Sequence, residues 1–351
     1  MKIEVILRNR TPLMSSAPGQ RTISLDGRRN VPNGFPLTAM RTMPIPVEGE
    51  DRPFNAPIIP GNSVRNALRR AMLDVVFGQL RGSSTLSIGA YAAAYSGNAS
   101  GNPEGVPPQF DEITSVRNHL FLGLFGGGPR MMRGKLSVDS LYPIAASTAR
   151  VIGSGHEDRY IAGPLTQIVW MTRKDPVQQI NSEEQAELVT GGAASITQWA
   201  VDAMQASMAA NQKRAKAKGK GAEDNADEPD EAASARGLNT MNAHEVTLPG
   251  LDWLMRLRLE TPTPAQIGLV LMGIQKLNDM TLGGGHGKGY GEVEIQEVLL
   301  KIGNDTHQVW NGAEFDDRAQ EYIDSLTEAL DSIDAKDFES FVRRAKDAAS
   351  E

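Results

Sequence analysis

The hydrophobic and polar positions of the chain repeat with two different periods along its length. Residues 2–7 alternate polar and apolar side chains, which predicts a first strand, and residues 253–259 and 292–300 show the same two-residue period. Apolar side chains three or four positions apart predict amphipathic helices over 63–77 and 265–279. The two periods therefore predict strands and helices within one chain.

Short motifs mark where the two predicted helices begin. Thr263 and Gln266 have the spacing of a capping box, and Pro264 occupies the first helical position between them. The earlier helix follows a Pro-Gly turn, and Ser63 is suited to cap it. Both helices therefore have a predicted first residue.

Long stretches of the chain show no sustained period. Residues 9–57 are rich in Pro, Gly and Arg, and residues 82–115 are rich in Gly, Ala and Ser, so we expect loops there. A basic run over 213–220 precedes an acidic run over 223–231, which indicates the tip of a mobile insertion. Residues 313–351 have the pattern of an acidic amphipathic helical pair, which we expect to serve packing or docking.

Composition narrows the class of protein. The chain has 351 residues, of which 40% are hydrophobic and 23% charged, as in soluble globular proteins. We expect neither a membrane span nor a signal peptide, because the apolar runs are short and the first residues alternate like a strand. The chain has no cysteine, which excludes disulfides and thiolate metal sites and suits the cytoplasm, and its five histidines lack zinc-site spacing.

The charge is distributed unevenly. The net charge is −7, and residues 313–351 supply all of it with five basic and twelve acidic residues. Residues 1–160 hold eighteen basic and twelve acidic residues, a net of +6, and sixteen of the eighteen are Arg. Arg suits bidentate contact with phosphate, and nucleic-acid binding depends on such local fields more than on the total charge.

The most unusual segment is residues 283–291, which contain six glycines together with His286 and Lys288. A P-loop requires Ser or Thr after its Gly-Lys pair, but Gly289 follows Lys288. A dinucleotide-binding fingerprint requires a strand before the loop and a helix after it, and here the predicted order is reversed. Two hypotheses remain for this segment: a tight turn, or a loop that binds a nucleic-acid backbone.

The first predicted helix carries Arg65 and Arg69 one turn apart on the same face. These side chains either form a solvated charged face or contact a phosphate backbone. Sequence motifs of serine hydrolases, zinc proteases and cysteine nucleophiles are absent. The isolated acids Asp26, Asp111 and Asp139 are expected to be turn or cap residues.

Several short motifs occur in a fixed order along residues 1–300. That order is a strand, a long Arg-rich loop, an I-P-G-N-S-x-R-x-x-x-R helix, L-F-G-G-G-x-R with a following strand, an E-V-x-L-P-G strand, a helix, and the glycine-rich loop. Taken together it resembles the RAMP superfamily of CRISPR-associated proteins, and within it the backbone subunit that coats guide RNA, the seventh Cas family. The chain length, the large insertion and the acidic C-terminal helices resemble the type IV, plasmid-associated branch.

The resemblance implies an α+β fold. Residues 1–300 would form a discontinuous RRM/ferredoxin-like palm with β-α-β-β-α-β order. Residues 78–118 would be a finger-like insertion, and residues 170–247 a thumb with a mobile tip near 213–236. Residues 301–351 would be the acidic C-terminal helical segment.

The resemblance also implies a role in binding guide RNA (crRNA), which pairs with target DNA or RNA. Copies of the chain would stack as a helical filament along one RNA, together with other Cas effector subunits, without cofactor, metal or membrane. The residues expected against the guide backbone are Asn62, Ser63, Arg65, Arg69, Arg130, Arg133, Gly284, Gly285, His286, Gly287, Lys288 and Gly289.

Two other functions are left open. Some relatives in type III complexes cut target RNA with a metal ion held by an Asp in the first long loop, and Asp26 is the corresponding candidate here. The flanking residues 24–29 are basic, which does not favour metal binding. The other alternative is a structural protein that binds no nucleic acid, whose glycine-rich loop is only a turn.

Overall fold

Strands and helices occur in groups along the chain. The described strands are β1 (Lys2–Asn9), β2 (Arg21–Ile23), β3 (Phe35–Thr38), β4 (Thr42–Ile45), β5 (Phe54–Pro57), β6 (Gly126–Gly127), β7 (Met132–Arg133), β8 (Leu136–Val138), β9 (Tyr142–Pro143), β10 (Thr166–Arg173), β11 (Thr240–Thr247), β12 (Asp252–Leu259), β13 (Val293–Ile302) and β14 (Asp305–Trp310). The described helices are α1 (Gly61–Leu80), α2 (Ile88–Ser96), α3 (Phe110–Asn118), α4 (Leu122–Phe125), α5 (Ala149–Ile152), α6 (Pro264–Gln275), α7 (Asp317–Leu330) and α8 (Ala335–Val342). The computed structural model describes residues 1–19, 21–23, 35–47, 51–80, 85–97, 109–128, 132–173 and 240–342, and a few positions between 190 and 205.

The chain divides into two units. The first comprises residues 1–18, 39–167 and 245–351, and the second comprises residues 19–38 and 168–244. The boundaries of the predicted finger-like, thumb and C-terminal segments remain predictions, and the predicted tip near 213–236 lies outside the described residues.

The first unit is built on an antiparallel sheet with strand order β14-β13-β1-β12-β8, and β9 extends it along β12. Helix α1 connects β1 to β8, and α6 connects β12 to β13. Among the four strands of this β-α-β-β-α-β path, the first and third lie in the centre, and the second and fourth lie outside them. This is the ferredoxin-like arrangement, and the predicted α+β fold is confirmed.

One face of this sheet forms the main hydrophobic core. Ile3, Val5 and Leu7 of β1 alternate onto that face and are fully buried in one cluster with residues of α1 and α6. Each such side chain stabilises the fold by ~1.5–3 kcal/mol. A polar group also reaches this core, since Trp253 Nε1 donates to Asn9 Oδ1 at 3.0 Å.

The opposite face of the sheet is closed by smaller groups. Ile6 and Leu254 pack there with Ile144 and Ile152 in a second, separate cluster. Around it Glu4 Oε2 lies 2.7 Å from Lys301 Nζ, and Glu4 Oε1 lies 3.5 Å from Arg256 Nε. Arg8 Nε lies 2.7 Å from Asp252 Oδ1. Ion pairs and short helical segments therefore occupy most of this face.

Gln266 joins four segments of the first unit. Its side chain is fully buried, and Oε1 accepts from the Thr263 amide at 3.1 Å and from Lys135 Nζ at 3.0 Å. Nε2 donates to the carbonyls of Arg117 at 3.2 Å and His119 at 3.0 Å. The capping box predicted for Thr263 is confirmed, and Gln266 additionally fixes the end of α3 and the approach to β8.

The C-terminal helices pack on the first unit. Helix α7 lies so close to α6 that a Cβ on Gly268 would come within 2.2 Å of the Tyr322 carbonyl oxygen. Phe338 of α8 is 1% exposed, and its ring lies 5.0 Å from the His119 ring and 5.9 Å from the Phe77 ring. The predicted packing role of these two acidic helices therefore corresponds to contacts of α7 with α6 and of α8 with Phe77 and His119.

Three predicted features differ from the structure. Helix α1 begins at Gly61 and ends at Leu80, so Ser63 lies within the first turn and is not the N-cap. Residues 82–115 were expected to be loop but contain α2 and the start of α3, because small alanines of α2 bury against the core. Residues 9–57 were also expected to be loop, and they contribute the short strands β2 to β5.

The second unit contains a sheet in the order β10-β11-β3-β2. The pairing between β11 and β3 is parallel, and that between β2 and β3 is antiparallel. The Phe35 and Trp170 rings meet edge to face, with centroids 5.5 Å apart. Among the described helices of the whole chain, none combines the length and the apolar character needed to cross a membrane.

His119 makes the stability of the first unit depend on pH. Its Nδ1 accepts from the amides of Phe121 at 3.2 Å and Leu122 at 3.0 Å, at the start of α4. Burial lowers the pKa of His119 from 6.5 to about 4, against a weak opposing effect of Asp337. Since the folded pKa is depressed, the unfolded state takes up the proton first as pH falls below 6.5. Stability from this group is complete above that pH and is lost between 6.5 and 4.

We therefore expect the free energy of unfolding to fall by about 2 kcal/mol more in the wild type than in a His119→Gln variant when the pH is lowered from 7.5 to 5. Gln offers an oxygen to the same amides but does not titrate. Urea unfolding at both pH values measures the difference. Equal losses in the two proteins would show that His119 is not the group responsible.

Candidate nucleic-acid interface

The glycine-rich loop is anchored to the segment that follows β1. Leu282 N donates to the Gly291 carbonyl at 2.9 Å, which closes the base of the loop. Gly284 N donates to the Met14 carbonyl at 2.7 Å, and Gly291 N donates to the Pro12 carbonyl at 3.0 Å. The loop shape is therefore fixed by backbone contacts with residues 12–14, whose sequence gave no signal of this role.

Four of the glycines in this loop have positive φ, and two of these show most clearly why the fold requires glycine. Gly283 has φ +87°, and a Cβ there would come within 2.4 Å of the Met14 carbonyl oxygen. Gly285 has φ +80°, and a Cβ there would come within 2.7 Å of the buried Tyr290 ring. Gly287 differs, because its φ is not positive and no atom lies within 4 Å of the position of its Cβ. Neither backbone conformation nor packing explains a glycine at 287.

The tip of the loop is the exposed part. Residues 286–289 are exposed, and His286–Lys288 forms a single 3-10 turn in which Lys288 N donates to the Gly285 carbonyl at 2.8 Å. The turn thus presents a cationic side chain, an imidazole and a backbone without bulky side chains on either side. This combination suits close approach of a phosphodiester backbone.

Arg69, predicted to contact RNA, lies in the interior. It is 2% exposed, and its Nη1 donates to the carbonyls of Ala93 and Ala94 at 3.2 Å each, at the end of α2. Its Nη2 donates to the carbonyls of Phe125 at 3.5 Å and Gly126 at 3.4 Å, at the end of α4. Burial, and secondarily the charge of Arg65, lowers its pKa to about 10.

The position of Arg69 corrects the predicted arginine pair. A cation at the carboxyl ends of two helices satisfies their unpaired carbonyls and is favoured by the helix dipoles. The guanidinium also lies 4.8 Å from the centroid of the Phe125 ring. Arg69 is therefore a structural residue, and phosphate cannot reach it without opening this packing.

Arg65 remains partly exposed one turn earlier. Its Nη2 donates to the Phe125 carbonyl at 2.6 Å, and its guanidinium lies 5.3 Å from the Phe125 ring centroid. Burial lowers its pKa, but the group stays cationic at neutral pH. Asn62 and Ser63, at the start of the same helix, are exposed. These three side chains are still available to a ligand.

The L-F-G-G-G segment forms a tight two-strand ribbon with β7. Gly126 has φ +59°, and a Cβ there would come within 2.2 Å of the Met132 carbonyl oxygen. Arg133 of β7 is exposed, and its Nη2 pairs with a carboxylate oxygen of Glu260. A phosphate that binds Arg133 has to compete with that carboxylate. Arg130 lies outside the described residues.

The structure thus sorts the predicted residues into two sets with different neighbours. Arg65 and Arg69 share Phe125 as a partner, whereas Gly284, Gly285 and Lys288 belong to the loop held by residues 12–14. Phe125 was not predicted as part of the site. Its only signal in the sequence was its place in the L-F-G-G-G motif.

The sheet itself is a poor candidate for binding RNA. RRM proteins stack bases on aromatic side chains of the open sheet face. Here the corresponding face carries the Ile6 and Leu254 cluster and the ion pairs around Glu4 and Asp252. Among the described residues of the first unit, loops at the ends of strands and helices are therefore the better candidates.

The described residues contain no group of three His, Asp or Glu side chains that could hold a metal ion. Asp111 lies in the first turn of α3, and the Asp139 carboxylate lies 2.5 Å from Arg258 Nη2. Asp26, the candidate for a nuclease centre, lies outside the described residues. The described residues therefore do not test the nuclease hypothesis, which remains a prediction from the sequence.

No family model matches the chain, and no curated protein matches it in sequence. A chain of a solved structure titled "Type IV-B CRISPR Complex" is similar to this one, with a TM-score of 0.46 and 16% sequence identity. The similarity covers 84% of this chain and 88% of that chain. At this TM-score and identity, neither fold nor function is transferred from it.

The two arginines of α1 are expected to respond differently to replacement by Met. Arg69→Met removes four side-chain hydrogen bonds to buried carbonyls at two helix ends and should lower the free energy of unfolding by about 3 kcal/mol. Arg65→Met should cost about 1 kcal/mol, because the one carbonyl that it binds, that of Phe125, also accepts from Arg69. Urea unfolding of both variants gives the comparison, and equal losses would contradict the assignment of Arg69 as the structural cation.

Proposed function

We propose that this protein binds guide RNA as the backbone subunit of a CRISPR ribonucleoprotein effector complex in the cytoplasm. Several copies assemble as a helical filament along one guide, together with other Cas subunits. The guide pairs with target DNA or RNA, and the chain itself holds the guide without catalysing a reaction. Its length, large insertion and acidic C-terminal helices resemble the type IV branch.

The exposed glycine turn at residues 286–289 is the observation that carries this proposal. Its anchor on residues 12–14 gives it a fixed shape, and Gly287 leaves its outer side open. The same loop is the last motif in the order that resembles the RAMP superfamily. A turn required only for chain reversal has no need of a glycine at 287 or of a lysine at its exposed tip.

The mechanism follows from the kind of contact available. Lys288, Arg65 and the exposed amides of loop tips meet phosphate, so that affinity falls with rising salt. Such contacts do not distinguish bases, and sequence is recognised through pairing between guide and target. The sheet face carries an apolar cluster and ion pairs, so we expect the bases to remain available for pairing.

Lys288→Ala should weaken binding of a single-stranded RNA and reduce the slope of log K against log salt by about 0.7, the value for one lost phosphate contact on a single strand. Lys336→Ala is the matched control, since Lys336 is 90% exposed on α8 and belongs to neither set. Fluorescence anisotropy over a salt series measures both slopes.

A Gly287→Val variant tests whether RNA approaches the backbone of the same turn closely, because it adds a side chain there without changing the charge. The position has room for a side chain, so the variant should fold as the wild type does while it blocks approach of the RNA backbone. If Lys288→Ala and Gly287→Val both bind RNA as the wild type does, the turn is not the contact surface.

A further inference from the structure

A ribbon of paired backbone segments lies between the glycine-rich loop and the start of α1. Its middle segment follows β1 and holds the glycine-rich loop on one side, where Gly284 N donates to the Met14 carbonyl at 2.7 Å. On its other side Arg41 N donates to the carbonyl of the next residue, Ser15, at 2.6 Å. The chain around Arg41 is therefore the second backbone away from the glycine-rich loop.

A further backbone continues this ribbon to α1. Ile58 N donates to the Arg41 carbonyl at 2.9 Å, which extends the antiparallel register of β4 and β5 by one residue. Helix α1 begins three residues later at Gly61, and Asn62 and Ser63 are exposed in its first turn. Paired backbones lie about 4.8 Å apart, so Arg41 is about 10 Å from the glycine-rich loop and about 5 Å from the segment that enters α1. All of these segments belong to the first unit.

Arg41 has no acidic partner among the described residues. Its side chain makes no ion pair or hydrogen bond to any of them, and the residue is partly exposed. Arg10, which precedes the middle segment of the ribbon, differs because its Nη2 lies 2.8 Å from Glu294 Oε1. The Glu245 carboxylate comes near the ribbon, where its Oε2 accepts from the Met40 amide at 3.0 Å, but it does not pair with Arg41. A phosphate can therefore bind Arg41 without breaking an ion pair.

The side chain of Arg41 has no structural role in the described part of the chain. The hydrogen bonds that hold the ribbon at this position use the backbone amide and carbonyl, which nearly every residue type provides. Arg69 is the contrasting case, because its guanidinium donates to four carbonyls inside the protein. Two explanations are therefore left for an arginine at position 41: a solvated surface cation, or a contact with a ligand.

We propose that Arg41 contacts a phosphate of the RNA midway along a track that runs from the glycine turn at residues 286–289, across the ribbon, to the first turn of α1. This inference rests on the proposed RNA-binding function. It adds one contact residue and the direction in which the RNA backbone crosses the protein. A phosphate contact carries no information about the base, so the track is consistent with recognition of sequence through pairing.

Arg41→Gln removes the charge and keeps a polar side chain. Binding of a single-stranded oligouridylate that is long enough to cover the track should weaken about 10-fold, as expected for a charged hydrogen bond. The slope of log K against log salt should fall by about 0.7, and by about 1.4 in a double variant with Lys288→Ala, because both side chains contact the same RNA. Arg41→Lys should retain the slope, since it keeps the charge. Fluorescence anisotropy over a salt series measures all of these values.

Arg318→Gln is the matched control, because Arg318 is exposed on α7 and lies outside the track. It should leave both affinity and slope unchanged, and an equal loss in this variant would overturn the inference by showing a general effect of charge. Urea unfolding of Arg41→Gln should have the midpoint of the wild type, whereas a variant that does not fold would contradict the absence of a structural role.

The remaining outcomes separate this inference from the proposed function. If the wild type binds RNA with a steep salt dependence and Arg41→Gln binds it equally well, Arg41 is a solvated cation and only the track is overturned. If Arg41→Lys loses as much slope as Arg41→Gln, the charge is not what meets the RNA, and the inference also fails. A wild type that binds no RNA would overturn the proposed function together with the track.

Discussion

The buried carboxamide of Gln266 is the interaction on which the first unit most depends. It uses two acceptor and two donor positions at once, and its partners come from the start of α6, the end of α3, the approach to α4 and Lys135. A buried polar group with all its bonds formed specifies one arrangement, since any other leaves donors or acceptors unpaired. Position 123 must be glycine for the same reason, because a Cβ there would come within 2.6 Å of Gln266 Nε2 and would displace the carboxamide.

The buried guanidinium of Arg69 is a second polar group that fixes the positions of several segments, and these segments lie nearer the surface. Arg69 satisfies carbonyls at the ends of α2 and α4, and thereby holds the ribbon that begins at Gly126. Arg69 of α1 thus has a structural role in the interior, whereas Arg65 on the same helix remains partly exposed. The exposed cations lie on segments whose backbone is held by hydrogen bonds to the interior of the unit. Such a segment loses little conformational entropy when it binds a ligand.

The sequence predicted what depends on local spacing. The alternation in β1 and the Thr263 and Gln266 capping box are local signals, and both elements are present where they were expected. The burial of Arg69 could not be predicted, because it depends on carbonyls of α2 and α4 that lie 24 to 57 residues further along the chain. The strands within residues 9–57 were missed because each is only three or four residues long and shows no period.

The candidate site likewise combines a feature that the sequence predicted with one that it did not. The glycine-rich loop was evident from composition, but its anchor on residues 12–14 uses backbone carbonyls, which any sequence provides.

The most direct test of the central claim is to purify the protein from cells that express a CRISPR array, and then to extract and sequence the nucleic acid bound to it. The account predicts guide RNAs of regular length, protected within a particle that contains several copies of the chain. A protein that is recovered free of RNA and does not bind added guide RNA would contradict it.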